Sequence, residues 1–136
     1  MLSEILAYRL SAAERAVNQR LAGVLADVTI EQWRILAALS DGHGHSMGDL
    51  AAAVLMPHPT LTKAIDRLVD VALVYRRQDD IDRRRVAVYL SDRGRELLDR
   101  SNERVVEHHR AVEAAYGSAR TERLMRDLAR LVASLD

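Results

Sequence analysis

The chain of 136 residues contains no cysteine and no phenylalanine, and its single tryptophan is Trp33. Without cysteine there can be no disulfide, no thiolate nucleophile, no cysteine-ligated zinc and no thiol that senses oxidants directly. The scarcity of aromatic side chains removes the platforms on which single-stranded bases stack. No apolar run approaches the roughly 20 residues of a transmembrane helix, and residues 1–4 lack the basic start of a signal peptide. These absences favour a cytoplasmic protein with no membrane partner.

Charge of one sign is also lacking, because 20 acidic residues balance 20 basic ones, of which only Lys63 is a lysine. A neutral chain is not a polycation that binds any anion, but a nucleic-acid site depends on where the charges lie. The length fits one domain, and 49% hydrophobic with 29% charged residues is ordinary for a globular protein. No Ser/His/Asp group, carboxylate pair or glycine-rich phosphate loop is recognisable. The sequence therefore predicts neither an enzyme nor a cofactor site.

Hydrophobic residues that recur at spacings of three and four predict a mostly helical chain. The capping-box pair Thr29 and Gln32, the N-cap serines Ser46 and Ser91, and Pro59 at a first helical position mark helix starts. Six helices are therefore expected, over residues 2–25, 30–40, 47–54, 59–70, 92–115 and 119–134.

The hydrophobic pattern changes to a strand-like one between the fourth and fifth of these helices. Strands are expected over residues 73–77 and 85–90, with Val86, Val88 and Leu90 on one face and a charged turn between the strands. The resulting antiparallel hairpin has a surplus of positive charge. Its five arginines, against three aspartates (Asp79, Asp80 and Asp82), are Arg76, Arg77, Arg83, Arg84 and Arg85.

Two helices joined by a tight turn and followed by such a hairpin form a winged helix-turn-helix. The second helix must carry small polar and basic residues near its N-terminus to enter a major groove about 12 Å wide. Thr60, Thr62 and Lys63 fit this requirement. Arginines on the hairpin beside it can reach phosphates or the minor groove. The sequence therefore predicts a mostly α, double-stranded DNA-binding fold of about six helices plus a two-stranded wing.

The apolar stripes of residues 2–25 and 119–135 exceed what a three-helix winged domain can cover. Mutual burial across a two-fold axis is the economical solution, joined by Val105, Val112 and Ala115; the alternative is burial within one chain. We therefore interpret residues 1–136 as a single domain. Within it, residues 2–25 and 92–135 are assigned to dimerisation and residues 29–91 to DNA binding.

Five ordered segments within Thr29–Leu98 carry motifs of a known family, and the most specific is an Asp-x-Arg wing followed by Leu-Ser/Thr-x-x-Gly. With these segments the chain resembles the MarR family of bacterial transcriptional regulators over about half its length. One departure is Ala72, which stands where the family commonly has glycine and costs about 1 kcal/mol if φ is positive there. The segments are Gln32–Leu36, Pro59–Leu68, Leu73–Arg77, Asp82–Arg84 and Leu90–Gly94.

The resemblance implies a homodimer that binds a pseudo-palindromic operator, usually as a repressor that a small phenolic or other aromatic anion releases. It also implies that Arg84 enters the minor groove and that Asp82 positions it. An effector cleft is expected between the dimerising helices and the winged region, with Trp33 and Arg34 as candidates; alternatively Trp33 belongs to the core. The expected DNA-binding residues are Ser46, Thr60, Thr62, Lys63, Arg67, Arg76, Arg77, Arg83, Arg84 and Arg85.

Three questions stay open on the residues alone. The first is the role of Asp66 and Arg67, which form a surface ion pair, or hold the recognition helix to the wing, or place Arg67 on a phosphate. A metal site in the histidine pairs His43/His45 and His108/His109 is not expected, because adjacent histidines on a helix point about 100° apart. The rival functions are a DNA binder without ligand response and a winged-helix protein-interaction module, which would lack the steep salt dependence of DNA binding.

Overall fold

The computed structural model describes residues 1–136, which form six α-helices, a short 3-10 turn and a two-stranded antiparallel sheet. This confirms the predicted mostly α winged helix-turn-helix architecture. None of the helices has the length and apolar character that crossing a membrane requires. The helices are α1 (Leu6–Val24), α2 (Ile30–Ala38), α3 (Met47–Val54), α4 (His58–Asp70), α5 (Asp92–Tyr116) and α6 (Ser118–Leu135), and the strands are β1 (Val74–Gln78) and β2 (Val86–Leu90).

Side-chain caps begin three of the helices as predicted. The Thr29 hydroxyl accepts from the Gln32 amide while the Gln32 side chain accepts from the Thr29 amide, which closes the capping box of α2. The Ser46 hydroxyl accepts from the amide of Asp49 at 3.1 Å and begins α3, and Ser91 accepts from Gly94 at 2.9 Å and begins α5. These caps satisfy amides that the first helical turn leaves without partners.

Two predicted helix starts are wrong. The expected helix over 2–25 is interrupted at Ile5, whose extended backbone (φ −92°, ψ 124°) separates a 3-10 turn at Leu2–Glu4 from α1. The apolar residues keep the same three- and four-residue spacing on both sides of Ile5, so the sequence pattern does not reveal the interruption. Helix α4 begins at His58, so Pro59 takes the second helical position, where its missing N–H likewise costs no hydrogen bond.

The core lies where α2, α3 and α4 meet the sheet and the first half of α5. Ile35 and Leu36 of α2 are fully buried in it. The last turn of α1 and the connection between α1 and α2 also contribute buried side chains to it. Seventeen buried apolar residues form this single cluster, which therefore fixes the recognition helix and the wing base to the same core. From the other elements they include Leu21, Leu50, Val54, Leu61, Ile65, Leu68, Val74, Val88, Leu97 and Leu98.

The turn between α4 and β1 packs tightly against the start of α5. Ala72 adopts the left-handed conformation (φ 62°), the positive φ at which a residue other than glycine is strained. A Cβ on Gly94 would lie 2.1 Å from the carbonyl oxygen of Leu73, so only glycine allows this approach. The Ser91 hydroxyl lies 2.7 Å from the Ala72 carbonyl oxygen. The Leu-Ser-x-x-Gly motif thus seats α5 on the turn that orients the wing.

Candidate nucleic-acid interface

Helix α4 has one buried side and one exposed side. Leu61, Ile65 and Leu68 are completely buried, whereas the side chains of Thr60, Lys63 and Arg67 are exposed. Neither Lys63 nor Arg67 has an ion-pair partner in the chain. The exposed side therefore carries free positive charge.

Two of the other predicted contact residues on the helix-turn-helix have hydroxyls engaged within their own helices. Thr62 is half-buried and donates to the carbonyl of His58 at 3.0 Å, which leaves its oxygen able to accept only. Ser46 is half-buried and caps α3, as described above. Both side chains help to build the helix-turn-helix, and their contact with DNA stays a prediction.

An open cleft of about 440 Å³ lies between the exposed side of α4 and the start of α2. Thr60, Lys63 and Arg67 line it on the α4 side, opposite Thr29 and Glu31 at the N-terminus of α2. Three predicted DNA-contact residues therefore share one concave surface. At the N-terminus of α2 the amides of Thr29 and Gln32 are engaged in the capping box, and Glu31 adds one carboxylate opposite the two cations.

The register of the wing places its arginines on different faces. Arg76 pairs across the sheet with Val88, and Arg77 pairs with Ala87. Because successive residues of a strand point to opposite faces, Arg76 shares a face with Val86, Val88 and Leu90, which agrees with the predicted alternation. Arg76 and Arg77 were expected to act together on DNA, but their side chains leave the sheet in opposite directions.

Arg76 makes an ion pair with Asp66 of α4, with the Nη2 and Oδ1 atoms 2.5 Å apart. An ion pair between Asp66 and its sequence neighbour Arg67, which was one of the three alternatives left open, is not formed. The partner comes from another element, ten residues further along the chain. Of the alternatives weighed from the sequence, the link between the recognition helix and the wing is the one observed, and Arg76 provides it.

On the opposite face of the wing, Arg77 lies over the ring of Tyr89 at 4.3 Å and pairs with Asp80 at 3.0 Å. Tyr89 in turn stacks on Tyr75, with ring centroids 5.4 Å apart. A Cβ on Gly44 would lie 2.3 Å from the Tyr89 ring, so the loop after α2 packs closely on Tyr89. Nothing in the sequence indicated that Tyr89 is the buried ring on which Arg77 packs, because the residue that packs on Tyr89, Gly44, lies in a loop distant in the sequence.

The tip of the wing is built around Asp82. Its Oδ1 accepts from the backbone amide of Arg84 at 3.1 Å and from the Arg84 Nε at 3.2 Å. These hydrogen bonds hold the pKa of the Asp82 carboxyl below its usual value. The Arg84 side chain is 91% exposed, so Asp82 orients it without covering it. Arg83 and Arg85 are exposed and have no ion-pair partner.

The two candidate effector residues lie on α2, and Trp33 faces α5. The Trp33 Nε1 donates to the Oδ1 of Asn102 at 2.9 Å, and the half-buried ring packs against the core. Arg34 is also half-buried. Neither residue lines one of the five most prominent clefts of the single chain. The expected effector cleft stays a prediction about the dimer.

The histidines occupy separate environments. The His45 ring lies 2.9 Å from Asp41, and this hydrogen bond holds the pKa of the Asp41 carboxyl below its usual value. His109 lies 3.5 Å from Glu113. His108 is buried, and burial lowers its pKa, with a smaller effect from the nearby charge of Arg20. No group of three or more His, Asp or Glu side chains is placed to hold a metal ion.

Comparison with known proteins extends the resemblance. The MarR family model matches residues 26–85, from the end of α1 to the wing tip. The HTH-type transcriptional regulator FarR of Neisseria gonorrhoeae is 32% identical over 111 residues, which is 82% of this chain and 75% of that relative. The chain belongs to the MarR family. A second relative, the homoprotocatechuate degradative operon repressor of Escherichia coli, is 27% identical over 79% of this chain and 72% of its own length.

Solved structures extend the similarity beyond the winged region of this MarR-family chain. The transcriptional repressor CouR bound to a 23-mer DNA duplex superposes with a TM-score of 0.87, at 26% identity, over 96% of this chain and 94% of that one. CouR bound to p-coumaroyl-CoA shares the fold with a TM-score of 0.86 at 24% identity, over the same shares of the two chains. The structural likeness therefore includes helices that the family model leaves out.

Proposed function

We propose that this MarR-family protein is a homodimeric repressor that binds a pseudo-palindromic operator in double-stranded DNA. The observation that carries the proposal is that α4 and the wing both expose basic side chains and both pack on the same hydrophobic core. Helix α4 exposes Thr60, Lys63 and Arg67, and the wing tip exposes Arg83 to Arg85. The relative CouR, which is bound to a DNA duplex, supports the DNA-binding part of the proposal.

The two elements suit the two grooves of B-DNA. A helix with small polar and basic residues on its exposed side fits the major groove, where base edges are distinguishable. An exposed arginine on a hairpin tip fits the narrow minor groove, where negative potential is concentrated. Asp82 holds Arg84 in place before DNA arrives, which lowers the entropy cost of that contact.

Exposed apolar side chains on the terminal elements support the homodimer. Helix α6 packs mainly on α5, and large hydrophobic residues along it remain accessible in the single chain. The N-terminal turn and α1 expose a second such set. A second copy of the chain is the partner that would cover both sets across a two-fold axis. The exposed residues are Leu2, Ile5, Leu6, Tyr8, Leu10, Val17, Leu124, Met125, Leu128, Val132 and Leu135.

Selection of bound sequences from random double-stranded DNA tests this function directly. We expect the full-length chain to enrich an inverted repeat, and its affinity for that repeat to fall steeply with salt, by about 0.9 log units per log unit of salt for each phosphate contacted. Absence of enrichment and of a salt slope would contradict the proposal. That outcome would favour a winged-helix protein-interaction module.

Release by a small aromatic anion is the second part of the proposal. CouR is found with p-coumaroyl-CoA, and the E. coli relative is named for an operon that degrades an aromatic compound. The proposed site lies between α1, α2 and α5, near Trp33 and Arg34. A ligand there must bind the free protein better than the DNA-bound form in order to release the operator.

Because Trp33 is the only tryptophan, its fluorescence reports directly on this region. We expect aromatic carboxylates that quench Trp33 emission also to weaken operator binding in competition experiments. Arg34→Gln should weaken the ligand effect on DNA binding, whereas Arg100→Gln on the exposed side of α5 should not. A broad panel of aromatic anions that never weakens DNA binding would indicate a DNA binder without ligand response.

A further inference from the structure

One ion pair joins the recognition helix to the wing. Among the ion pairs of the chain, only that between Asp66 and Arg76 links α4 to the hairpin. The others lie within a loop, within the wing, within α5 or between α5 and the connection after α1. The relative placement of the two proposed DNA-binding elements therefore rests on this pair together with the apolar core that they share.

Backbone and apolar contacts hold the base of the wing, because Val74 and Val88 are buried in the core and His45 forms a β-bridge of two hydrogen bonds with Val88. Helix α4 and strand β1 are joined only by residues 71–73, and Ala72 adopts a left-handed conformation that a non-glycine residue occupies at a cost. Strand β1 then runs back beside α4, which brings its third residue level with Asp66. Apolar packing at Val74 fixes the base of the wing. The ion pair adds a charged link between α4 and β1 at the level of Val88.

The pair also changes the charge that α4 presents. Asp66 lies three residues after Lys63 and next to Arg67, the two free cations of the helix. An unpaired carboxylate there would weaken the attraction of both for phosphate. Arg76 neutralises this carboxylate, and its guanidinium is directed at α4 rather than away from the protein.

We infer that Asp66 and Arg76 are positioning residues for DNA recognition. Their ion pair sets the angle between α4 and the wing, so that α4 and Arg84 engage DNA together. Arg76, which the sequence assigned to DNA contact, acts through Asp66 and is not a phosphate ligand. This inference rests on the proposed DNA-binding function.

Whether Asp66→Asn raises or lowers the affinity for DNA distinguishes this positioning role from a direct contact of Arg76 with phosphate. If Arg76 contacted phosphate, Asp66→Asn would free it and remove a negative charge near DNA, so affinity would rise. If the pair positions the wing, the same substitution lowers affinity although it makes the surface more positive. Asp70→Asn is the matched control, because Asp70 is exposed on the same helix and has no ion-pair partner.

The experiment measures binding of the full-length chain and its variants to the selected operator over a range of salt concentrations. We expect Asp66→Asn and Arg76→Gln each to weaken binding roughly three- to tenfold, and the double variant to lose no more than either single one. The salt slope should stay unchanged, and Asp70→Asn should not weaken binding. The variants should also lose part of the preference for A·T flanks, which a change confined to helix stability would not produce.

A charge-reversed pair guards against variants that merely fail to fold. Asp66→Arg combined with Arg76→Asp should restore affinity and flank preference relative to either reversal alone. Tighter binding by Asp66→Asn, additive losses, or a salt slope reduced by about 1 in Arg76→Gln would overturn the inference while leaving the proposed function intact. Failure of the wild-type chain to bind any operator would overturn both.

Discussion

Arg84 combines a guanidinium that is 91% exposed with two hydrogen bonds that fix its backbone and its Nε atom on Asp82. An exposed ion pair of this kind contributes little to folding stability, because solvent screens it. Its effect is to restrict the directions in which the arginine can point. At the scale of single residues, a fixed and exposed cation is suited to a binding contact.

We therefore predict that Arg84→Ala weakens operator binding by about 1–3 kcal/mol and flattens the preference for A·T base pairs at the flanks. The reason is that a narrow A·T minor groove concentrates the negative potential that attracts arginine. The measurement compares Kd values for operators that differ only in their flanks, with Arg100→Ala on α5 as a control. An unchanged ratio between A·T- and G·C-flanked sites would refute the minor-groove assignment.

Lys63, the only lysine, is exposed and unpaired on α4. Lysine lacks the rigid fork with which arginine reads guanine, so we expect it to bind phosphate. Lys63→Ala should then weaken binding evenly across operator sequences and reduce the salt slope by about 1. Repeating the sequence selection with this variant checks the expectation, since relaxed specificity inside the half-site would instead indicate a base contact.

Counting charges in the sequence overestimates the free charge of the wing. Five arginines were expected to be available, yet Arg76 and Arg77 are engaged by Asp66 and Asp80. The partner of Arg76 lies on another element, and the cover of Tyr89 comes from Gly44, so neither contact follows from local sequence. The contact of Asp82 with Arg84 agrees with what the family resemblance implies, and it spans only two residues.

Among the elements, those with local start signals were predicted most closely. Helix α3 begins and ends where Ser46 and the apolar spacing place it, and α5 begins after its predicted cap. The interruption at Ile5 has no such signal, because its neighbours continue the hydrophobic spacing of α1. Capping chemistry acts over three residues and can be recognised in the sequence. The break at Ile5 lies among residues that are all exposed, so neither a cap nor a buried side chain marks it.

The turn between α4 and β1 allows a test at this scale. Ala72→Gly should stabilise the protein by up to about 1 kcal/mol, because glycine adopts φ 62° without strain. The gain is limited, since glycine also makes the unfolded chain more flexible. Ala52→Gly, at an exposed position inside α3, should lower stability by about 1 kcal/mol. Denaturant unfolding should show the free energy of unfolding rising for Ala72→Gly and falling for Ala52→Gly. Changes of the same sign would contradict backbone strain at Ala72.

At the scale of the whole molecule, the contact between α1 and α5 buries a titratable group. Burial keeps the pKa of His108 below the ordinary histidine value of 6.5, and the facing Arg20 and the adjacent His109 act in the same direction. The folded protein therefore disfavours protonated His108, while the unfolded chain accepts the proton as pH falls below about 6.5. Stability from this site is complete above that pH and decreases with acidification.

We predict that His108→Gln reduces the loss of stability between pH 7.5 and pH 5.5. Denaturant midpoints measured at one protein concentration provide the comparison, because dimer stability depends on concentration. Equal pH dependence in the wild type and in His108→Gln would show that other groups control the acid response.

The size of the operator should follow from the dimer. If α6 and the N-terminal elements form a two-fold interface, the two α4 helices should lie about one turn of DNA apart, roughly 34 Å, and half-site centres about 10 base pairs apart. Leu128→Glu places a charge in the exposed apolar row of α6 and should give a monomer in sedimentation. Such a monomer should bind the full inverted repeat no better than a half-site.

Val71→Glu is the control for that variant, because Val71 is 48% exposed but lies outside the terminal helices. It should leave the protein dimeric. Inserting five base pairs between the half-sites should abolish tight binding by the wild type, since this turns the second half-site to the opposite side of the duplex. A wild-type monomer on a single asymmetric site, or a Leu128→Glu variant that remains dimeric, would contradict this interface. It would show that the exposed apolar residues of α6 and of the N-terminal elements have a partner other than a second copy of the chain.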